Sequence, residues 1–175
     1  MSLQAAQLPA QTIERSLALG VVAPVGSFAE SRTVGPAVRA GVTVGNAENR
    51  RTLLRIELEG AWFLSRGAKS GAGYTNRGSL SATSVLASLV VGRRPTEDMA
   101  PYFLTGLAIQ RLTIPGVRNP YGSTFGVRVG AGLQRRYGTR QWFAEVAPHL
   151  ALTDFGTNTD FGLAAYIPLL AGIRF

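Results

Sequence analysis

The sequence has no cysteine, a single histidine, few charged residues and no long apolar run. The lack of cysteine excludes disulfides and thiolate metal sites, and one histidine, His149, gives a histidine-based metal site or catalytic dyad little to build on. The longest stretch without charge is 78–92, and serine and threonine interrupt it. Because a membrane-spanning helix needs about 20 mostly apolar residues, we expect none. The 175 residues suffice for one domain, in which 21 glycines accompany an apolar content of 46%.

Basic residues outnumber acidic ones, with 18 Lys and Arg against 10 Asp and Glu and a net charge of +8. Such an excess raises the question of nucleic-acid binding. The basic residues are, however, dispersed over turns and loops, with a few isolated inside strand patterns. We therefore expect no nucleic-acid partner. Dispersed arginines at strand ends fit a protein that meets anionic lipid head groups.

Apolar residues recur with a period of two through most of the chain, which indicates β-strands. For example, Val127 and Val129 share one face, and Arg128 between them lies on the other. The predicted strands are 12–23, 37–45, 52–64, 79–92, 101–113, 124–134, 141–152 and 163–175. In 79–92 the pattern does not distinguish the two faces. Strands of about ten residues exceed the usual soluble strand of about five or six and match the length that crosses a bilayer with tilt.

The predicted connections alternate between long and short. Residues 24–35, 65–78, 114–123 and 153–161 form the long ones, and 46–51, 93–99 and 137–140 the short ones. Long loops at one rim and tight turns at the other are typical of a membrane barrel. We therefore predict an all-β fold, an eight-stranded antiparallel up-and-down transmembrane β-barrel over 12–175, with 1–11 as an N-terminal extension. Both termini then lie at the short-turn rim, and we expect a secretory signal to have been removed ahead of Met1.

The polar face of the predicted strands is rich in glycine and carries isolated arginines and glutamates, whereas a solvated face normally carries many charges. A narrow lumen needs small residues and mutually paired ions. We expect such an Arg/Glu network in the lumen, with His149 on the same face, and side chains just about fill an eight-stranded barrel. The candidate network residues are Arg39, Arg55, Glu57, Glu59, Arg128 and Glu145.

Aromatic residues group near the two ends of the predicted strands, as expected of the two interfacial girdles of a spanning barrel. The group near the short turns is Tyr102, Phe103, Tyr137, Trp142 and Phe175, and the group near the long loops is Trp62, Tyr121, Phe125, Phe155 and Phe161. Aromatic residues also flank strands in soluble proteins, so this pattern favours the membrane without requiring it.

Three segments resemble the small outer-membrane protein A/X-like barrels of bacteria. Residues 167–175 alternate and end in phenylalanine, 101–108 begin Pro-Tyr and continue to Gly-Leu-Ala, and 20–28 match the first hairpin. The resemblance covers nearly the whole chain and implies an integral bacterial outer-membrane protein. It also implies that the barrel-assembly machinery reads the last strand, with Phe175, Ile173 and Tyr166 as the signal residues.

Cations in the predicted loops are candidates for contact with outer-membrane lipid and the phosphates of lipopolysaccharide. They are Arg32, Arg66, Lys69, Arg77 and Arg118. No metal or cofactor site is predicted, because the acidic residues of the last loop, Asp154 and Asp160, lack the ligand spacing of a calcium loop.

The sequence shows no enzyme chemistry, and we expect a monomer with a structural or interaction role in membrane integrity or surface contact. Two alternatives remain at this point. One is a narrow pore for small solutes or ions, and the other is a soluble lipocalin-like carrier with an apolar interior.

Overall fold

The computed structural model describes residues 11–26, 28–46, 52–65, 79–92, 98–113, 123–154 and 161–175. Eight strands follow one another along the chain. They are β1 (Gln11–Val25), β2 (Gly35–Asn46), β3 (Thr52–Ser65), β4 (Leu80–Gly92), β5 (Ala100–Thr113), β6 (Ser123–Tyr137), β7 in two segments (Arg140–Val146 and His149–Asp154) and β8 (Phe161–Arg174). Each of the eight corresponds to a strand predicted from the alternation.

The strands form a closed antiparallel barrel. Each strand pairs with its sequence neighbours, and β8 returns to pair with β1 from Ser16 opposite Arg174 to Val25 opposite Ala165. In the part of the chain that the structure describes, closure pairs the first strand of the barrel with the last. A bilayer requires such closure because lipid cannot hydrogen-bond a bare strand edge. The predicted fold class is confirmed.

The seventh strand is interrupted at Ala147 and Pro148, since proline has no N–H to give to a strand ladder. Two backbone hydrogen bonds bridge the gap. Val129 donates its N–H to the carbonyl of Pro148, and Ala147 donates its N–H to the carbonyl of Pro168, both at 3.3 Å. The barrel wall therefore continues past the break, and the second segment of β7 pairs with both neighbours.

The first long connection holds local structure that the sequence patterns did not predict. A one-turn helix, α1 (Phe28–Ser31), is followed by Arg32 and Thr33, which pair with the end of β3. Phe28 is buried. The connection thus folds back over the barrel end at which the long loops lie.

The predicted tight turn at 137–140 is a two-residue hairpin turn. Tyr137 pairs with Arg140, and Gly138 between them has a φ of +59°. Glycine adopts this left-handed conformation without the steric conflict that a Cβ would introduce.

The two faces of the barrel wall differ sharply in polarity. Large apolar side chains project from the outside, for example Leu107, which is 66% exposed, and Val129, which is 63% exposed. The inside carries the buried charges described below. This is the opposite of the apolar interior that a soluble lipocalin-like carrier requires.

The structure also assigns the faces of 79–92, which the sequence left open. The inward residues are Leu80, Ala82, Ser84, Leu86, Ser88 and Val90, all of which are buried. Val85, Leu89 and Val91 point outward and are exposed. Apolar residues stand on both faces of this strand, which explains why its alternation was uninformative.

One aromatic assignment was wrong. Tyr102 was predicted in the girdle near the short turns, but its side chain is fully buried inside the barrel. Its neighbour Phe103 points outward and is exposed, so the parity of the strand excludes Tyr102 from the girdle. On the loop side Trp62 and Phe125 are exposed on the outside. Outside the described side chains lie Tyr121, Phe155 and Phe161.

Within the ranges that the structure describes, no helix is both long and apolar enough to cross a membrane.

Candidate functional site

The most distinctive feature of the molecule is a cluster of charged side chains inside the barrel. All six residues of the predicted lumen network lie there, and each is at most 3% exposed. They come from four strands: Arg39 from β2; Arg55, Glu57 and Glu59 from β3; Arg128 from β6; Glu145 from β7. Since β3 is a regular strand, its residues 55, 57 and 59 all point to the same side.

Glu145 is the point where most of the network meets. Its carboxylate accepts hydrogen bonds from Arg55 Nη1 at 2.6 Å and from the Tyr102 hydroxyl at 2.9 Å. Arg39 Nη1 donates to the other oxygen of the same carboxylate. Two arginines and a tyrosine from three different strands therefore converge on one carboxylate of β7.

Glu57 and Glu59 complete the charge pairing. Arg39 donates from Nε to Glu59 Oε2 at 2.8 Å, and Arg128 Nη2 donates to Glu57. Arg128 also donates from Nε to the Ser88 hydroxyl at 2.9 Å. Three arginines and three glutamates thus form one buried, charge-balanced network, which connects β2, β3, β6 and β7 across the lumen.

Toward the turn rim, two arginines flank an aromatic pair. The guanidinium carbon of Arg55 lies 5.5 Å from the ring centre of Tyr102, and that of Arg174 lies 4.8 Å from the ring centre of Phe143. Such contacts are favourable because the ring face is electron-rich. Arg174 Nη1 also donates to Gln134 at 2.8 Å. The turn-side end of the lumen therefore contains arginine and aromatic side chains in mutual contact.

Toward the loop rim, the network gives way to His149 and aromatic rings. His149 stacks on Tyr166 with 4.8 Å between ring centres, and the Tyr166 hydroxyl donates to Gln110 at 3.0 Å. Phe63 packs edge-on against Tyr166, and Phe28 of α1 packs edge-on against Phe63. Among the described residues, this aromatic stack lies at the loop-side end of the lumen.

The glycines of the inner face make room for these large side chains. A Cβ on Gly132 would overlap the Tyr102 ring, and a Cβ on Gly41 would come within 2.6 Å of Glu57 Cγ. Both glycines lie directly across the strand pair from these residues. The glycine-rich polar face of the sequence is thus the space that a filled narrow lumen requires.

Several buried polar atoms have no hydrogen-bond partner among the described residues. They include Nε and Nη2 of Arg55, Nη1 of Arg128 and both ring nitrogens of His149. The Nε2 of His149 lies 3.9 Å from Glu59 Oε1, beyond hydrogen-bond distance. No cluster of three or more metal-ligating residues occurs in the described part of the chain.

The other predicted site residues are placed differently. Arg32 is only 8% exposed and has an interaction partner, so it does not offer the exposed cation predicted at the loop rim. The remaining loop cations, Arg66, Lys69, Arg77 and Arg118, lie outside the described residues. In the last strand Phe175 is exposed at the turn rim, whereas Tyr166 is buried in the lumen.

Several lumen residues that take part in these contacts were not among the predicted candidates. The polar ones that bind the network or lie at its turn side are Tyr102, Ser88, Arg174 and Gln134. Strand parity carried the signal for three of them. Residues an even number of positions apart on one strand point to the same side of the barrel wall. Gln134 therefore points inward like Arg128, and Arg174 points inward like Tyr166. Tyr102 points to the side opposite its neighbour Phe103. Ser88 lies in the one strand whose faces the sequence did not distinguish.

Fold and polarity together define the class of protein. A closed eight-stranded barrel with an apolar exterior and a charged interior is the arrangement of the small outer-membrane barrels, and this chain has that fold.

The chain is similar to several solved structures, of which the first named here has the same fold. Neisserial surface protein A matches with a TM-score of 0.65 at 12% identity, over 94% of this chain and 97% of that chain. The outer membrane enzyme PagL matches with a TM-score of 0.47 at 12% identity, over 93% of this chain and 98% of that one. Ail, the attachment invasion locus protein of Yersinia pestis, matches with a TM-score of 0.40 at 18% identity, over 94% and 97%. No family model and no curated protein matches the sequence.

Proposed function

We propose that this outer-membrane barrel has a structural or interaction role and that the Arg/Glu network plugs its lumen. The observation that carries the proposal is the set of buried ion pairs centred on Glu145, which joins side chains from opposite walls. A conducting lumen needs a continuous water path. Side chains joined across the lumen at hydrogen-bond distance leave little width for one.

The side chains at the two ends of the lumen support the same proposal. Arg174, Tyr102 and Phe143 occupy the turn side, and Phe63 with Phe28 occupies the loop side. A barrel of eight strands is also the size at which side chains just fill the interior. The roles that remain for such a protein are support of the membrane and contact through its surface and loops.

Conductance in planar lipid bilayers tests the plug. Wild-type protein should give no stable channel, whereas Arg55→Ala and Glu57→Ala should each raise the leak current because they remove paired side chains from the lumen. Arg111→Ala is a matched control, since Arg111 is exposed on the outside and its loss should leave the current unchanged. Folding of each variant is checked by the mobility shift between unheated and boiled samples on a gel.

Discrete wild-type channels with reproducible ion selectivity would support the narrow-pore alternative and overturn the plug. Variants at Arg55 or Glu57 that show no leak current and are as stable as wild type would also overturn the plug. The network would then neither block the lumen nor stabilise the barrel.

The proposal extends to partners. The loop cations Arg66, Lys69, Arg77 and Arg118 are proposed to contact lipopolysaccharide phosphates, and the last strand with Phe175 is proposed to be read by the barrel-assembly machinery. We further propose a monomer without enzymatic activity. Binding of wild type and a four-cation variant to immobilised lipopolysaccharide tests the first point, and equal binding would refute it.

A further inference from the structure

A patch of alternating arginines and aromatic rings lies on the outside of the barrel at the turn rim. It consists of Arg15 on β1, Tyr137 at the end of β6, Arg140 and Trp142 on β7, and Phe175 after β8, and we call it the arginine–aromatic patch. Tyr137 pairs with Arg140, and Phe175 exchanges backbone hydrogen bonds with Arg15 at 2.9 and 3.0 Å. Continuing the pairing of Arg174 with Gln141 places Phe175 beside Arg140. The five side chains therefore adjoin one another across four neighbouring strands.

The patch is exposed and carries two arginine side chains. Its aromatic residues are 76% (Tyr137), 55% (Trp142) and 59% (Phe175) exposed, and both arginines are exposed. Neither Arg15 nor Arg140 has a carboxylate within ion-pair distance in the described part of the chain.

On β6 the patch borders Arg135, which pairs with Trp142 and has an interaction partner of its own. On β1 and β8 its neighbours on the outer face are apolar. Leu17 and Ile173 lie next to it toward the middle of the barrel, and Leu17 is exposed. The neighbouring Glu14 lies on the opposite side of β1 from Arg15 by strand parity. The charge of the patch is thus held at the edge of the belt that faces lipid.

The chemistry of this arrangement fits a phosphate at the membrane surface. A guanidinium presents a planar fork of donors that matches phosphate oxygens, and aromatic rings settle at the level of lipid head groups. Short turns face the periplasm in barrels of this class. We propose that the arginine–aromatic patch binds the phosphate of an anionic glycerophospholipid in the periplasmic leaflet. The proposal rests on the membrane placement and goes beyond the plug, with which it shares no residue.

The two tryptophans of the chain make the test direct, because Trp142 lies in the patch and Trp62 lies toward the opposite rim. In a Trp62→Phe protein all tryptophan fluorescence comes from the patch. This protein is reconstituted into phosphatidylcholine vesicles that contain either brominated phosphatidylglycerol or brominated phosphatidylcholine, with the same acyl chains. Bromine quenches the fluorescence of a tryptophan that it contacts. The decrease of Trp142 fluorescence with increasing fraction of brominated lipid therefore gives the relative affinity of the patch for each lipid.

We expect the relative affinity to favour phosphatidylglycerol by about five-fold for each arginine engaged. Replacing Arg15→Gln and Arg140→Gln together should remove the preference, and each single replacement should remove part of it. Arg111→Gln is the matched control, because it removes one exposed arginine from the loop side and changes the net charge equally. It should leave the preference unchanged.

Three results would overturn the proposal. They are equal quenching by the two lipids, a preference that survives the double replacement, and a loss caused by Arg111→Gln as large as that caused by a patch variant. The last would show that only the net charge of the protein matters. Quenching by brominated phosphatidylcholine alone still reports insertion, so failure of the lipid proposal is distinguishable from failure of the membrane placement.

Discussion

Replacing Glu145 with glutamine tests how dry the lumen is. Glu145→Gln keeps the shape of the side chain but removes the charge that Arg39, Arg55 and Tyr102 approach. Three arginines, Arg39, Arg55 and Arg128, would then share the two carboxylates of Glu57 and Glu59. The remaining carboxylate contact of Arg55 among the described residues would be its 3.6 Å approach to Glu57.

The size of the effect depends on the surrounding dielectric. Two unit charges about 4 Å apart interact by about 4 kcal/mol in a protein-like environment, but by only about 1 kcal/mol in water. Removal of one partner from a buried ion pair typically lowers stability by about 3–5 kcal/mol, because the other charge is left buried and unpaired. We expect Glu145→Gln to fall in that range if side chains fill the lumen.

The assay is reversible unfolding of the detergent-solubilised protein in urea, followed by tryptophan fluorescence and by the gel shift of the folded barrel. Glu30→Gln is the control, since Glu30 is exposed on α1 and its replacement should change the free energy of unfolding by less than about 0.5 kcal/mol. A loss below about 1 kcal/mol for Glu145→Gln would refute the reasoning, because it would mean that water screens the network and that the lumen is hydrated.

Two further pairs of substitutions, each a test variant with its control, probe the barrel wall. Gly132→Val should prevent formation of the heat-modifiable folded form, because its side chain would occupy the space of the Tyr102 ring. The control Ala144→Val, on the exposed face, should fold. A Gly132→Val protein that folds normally would contradict the packing of Tyr102 against Gly132. Leu107 and Met99 are both exposed on the outside, but Leu107 lies nearer the middle of the membrane. Leu107→Arg should therefore lower the free energy of unfolding in lipid bilayers by about 2–4 kcal/mol, and Met99→Arg, near the turn rim, by about 0–1 kcal/mol. Equal losses in a denaturant titration would argue against a bilayer around the mid-barrel belt.

The barrel itself could be predicted from the sequence because lipid and a narrow lumen impose opposite demands on alternate residues. Arg128 between Val127 and Val129 shows this, and so does Glu57 between Ile56 and Leu58. The rule gave no answer in 79–92, where inward Leu86 and outward Leu89 are both apolar.

The contacts between residues inside the lumen could not be predicted from the sequence, for a different reason. The alternation along a strand determines which side of the barrel wall a residue occupies. It does not determine the position of that residue along the barrel axis, or which residue it contacts across the lumen. Those depend on strand register and on closure of the barrel. Tyr102 illustrates the difference, since its contact with Glu145 follows from the shared pairing of β5 and β7 with β6, at Gly132. The short helix α1 was also not predicted, because a single turn carries no periodic signal.

The pairing of the lumen charges has a consequence for the order in which the protein folds. Arg39 and Glu59 are only 20 residues apart and lie on one hairpin, so they can neutralise each other early. Arg128 meets Glu57 across 71 residues, and Glu145 meets Arg55 and Arg39 across 90 and 106 residues. These contacts between distant residues contribute no stabilising free energy until the two ends of the chain are close together. The reason is that the conformational entropy lost on closing such long loops opposes their formation. Annealing of β1 to β8 is therefore the step at which the last charges leave water, and the rate of that step should respond to Glu145 much more than to Glu59.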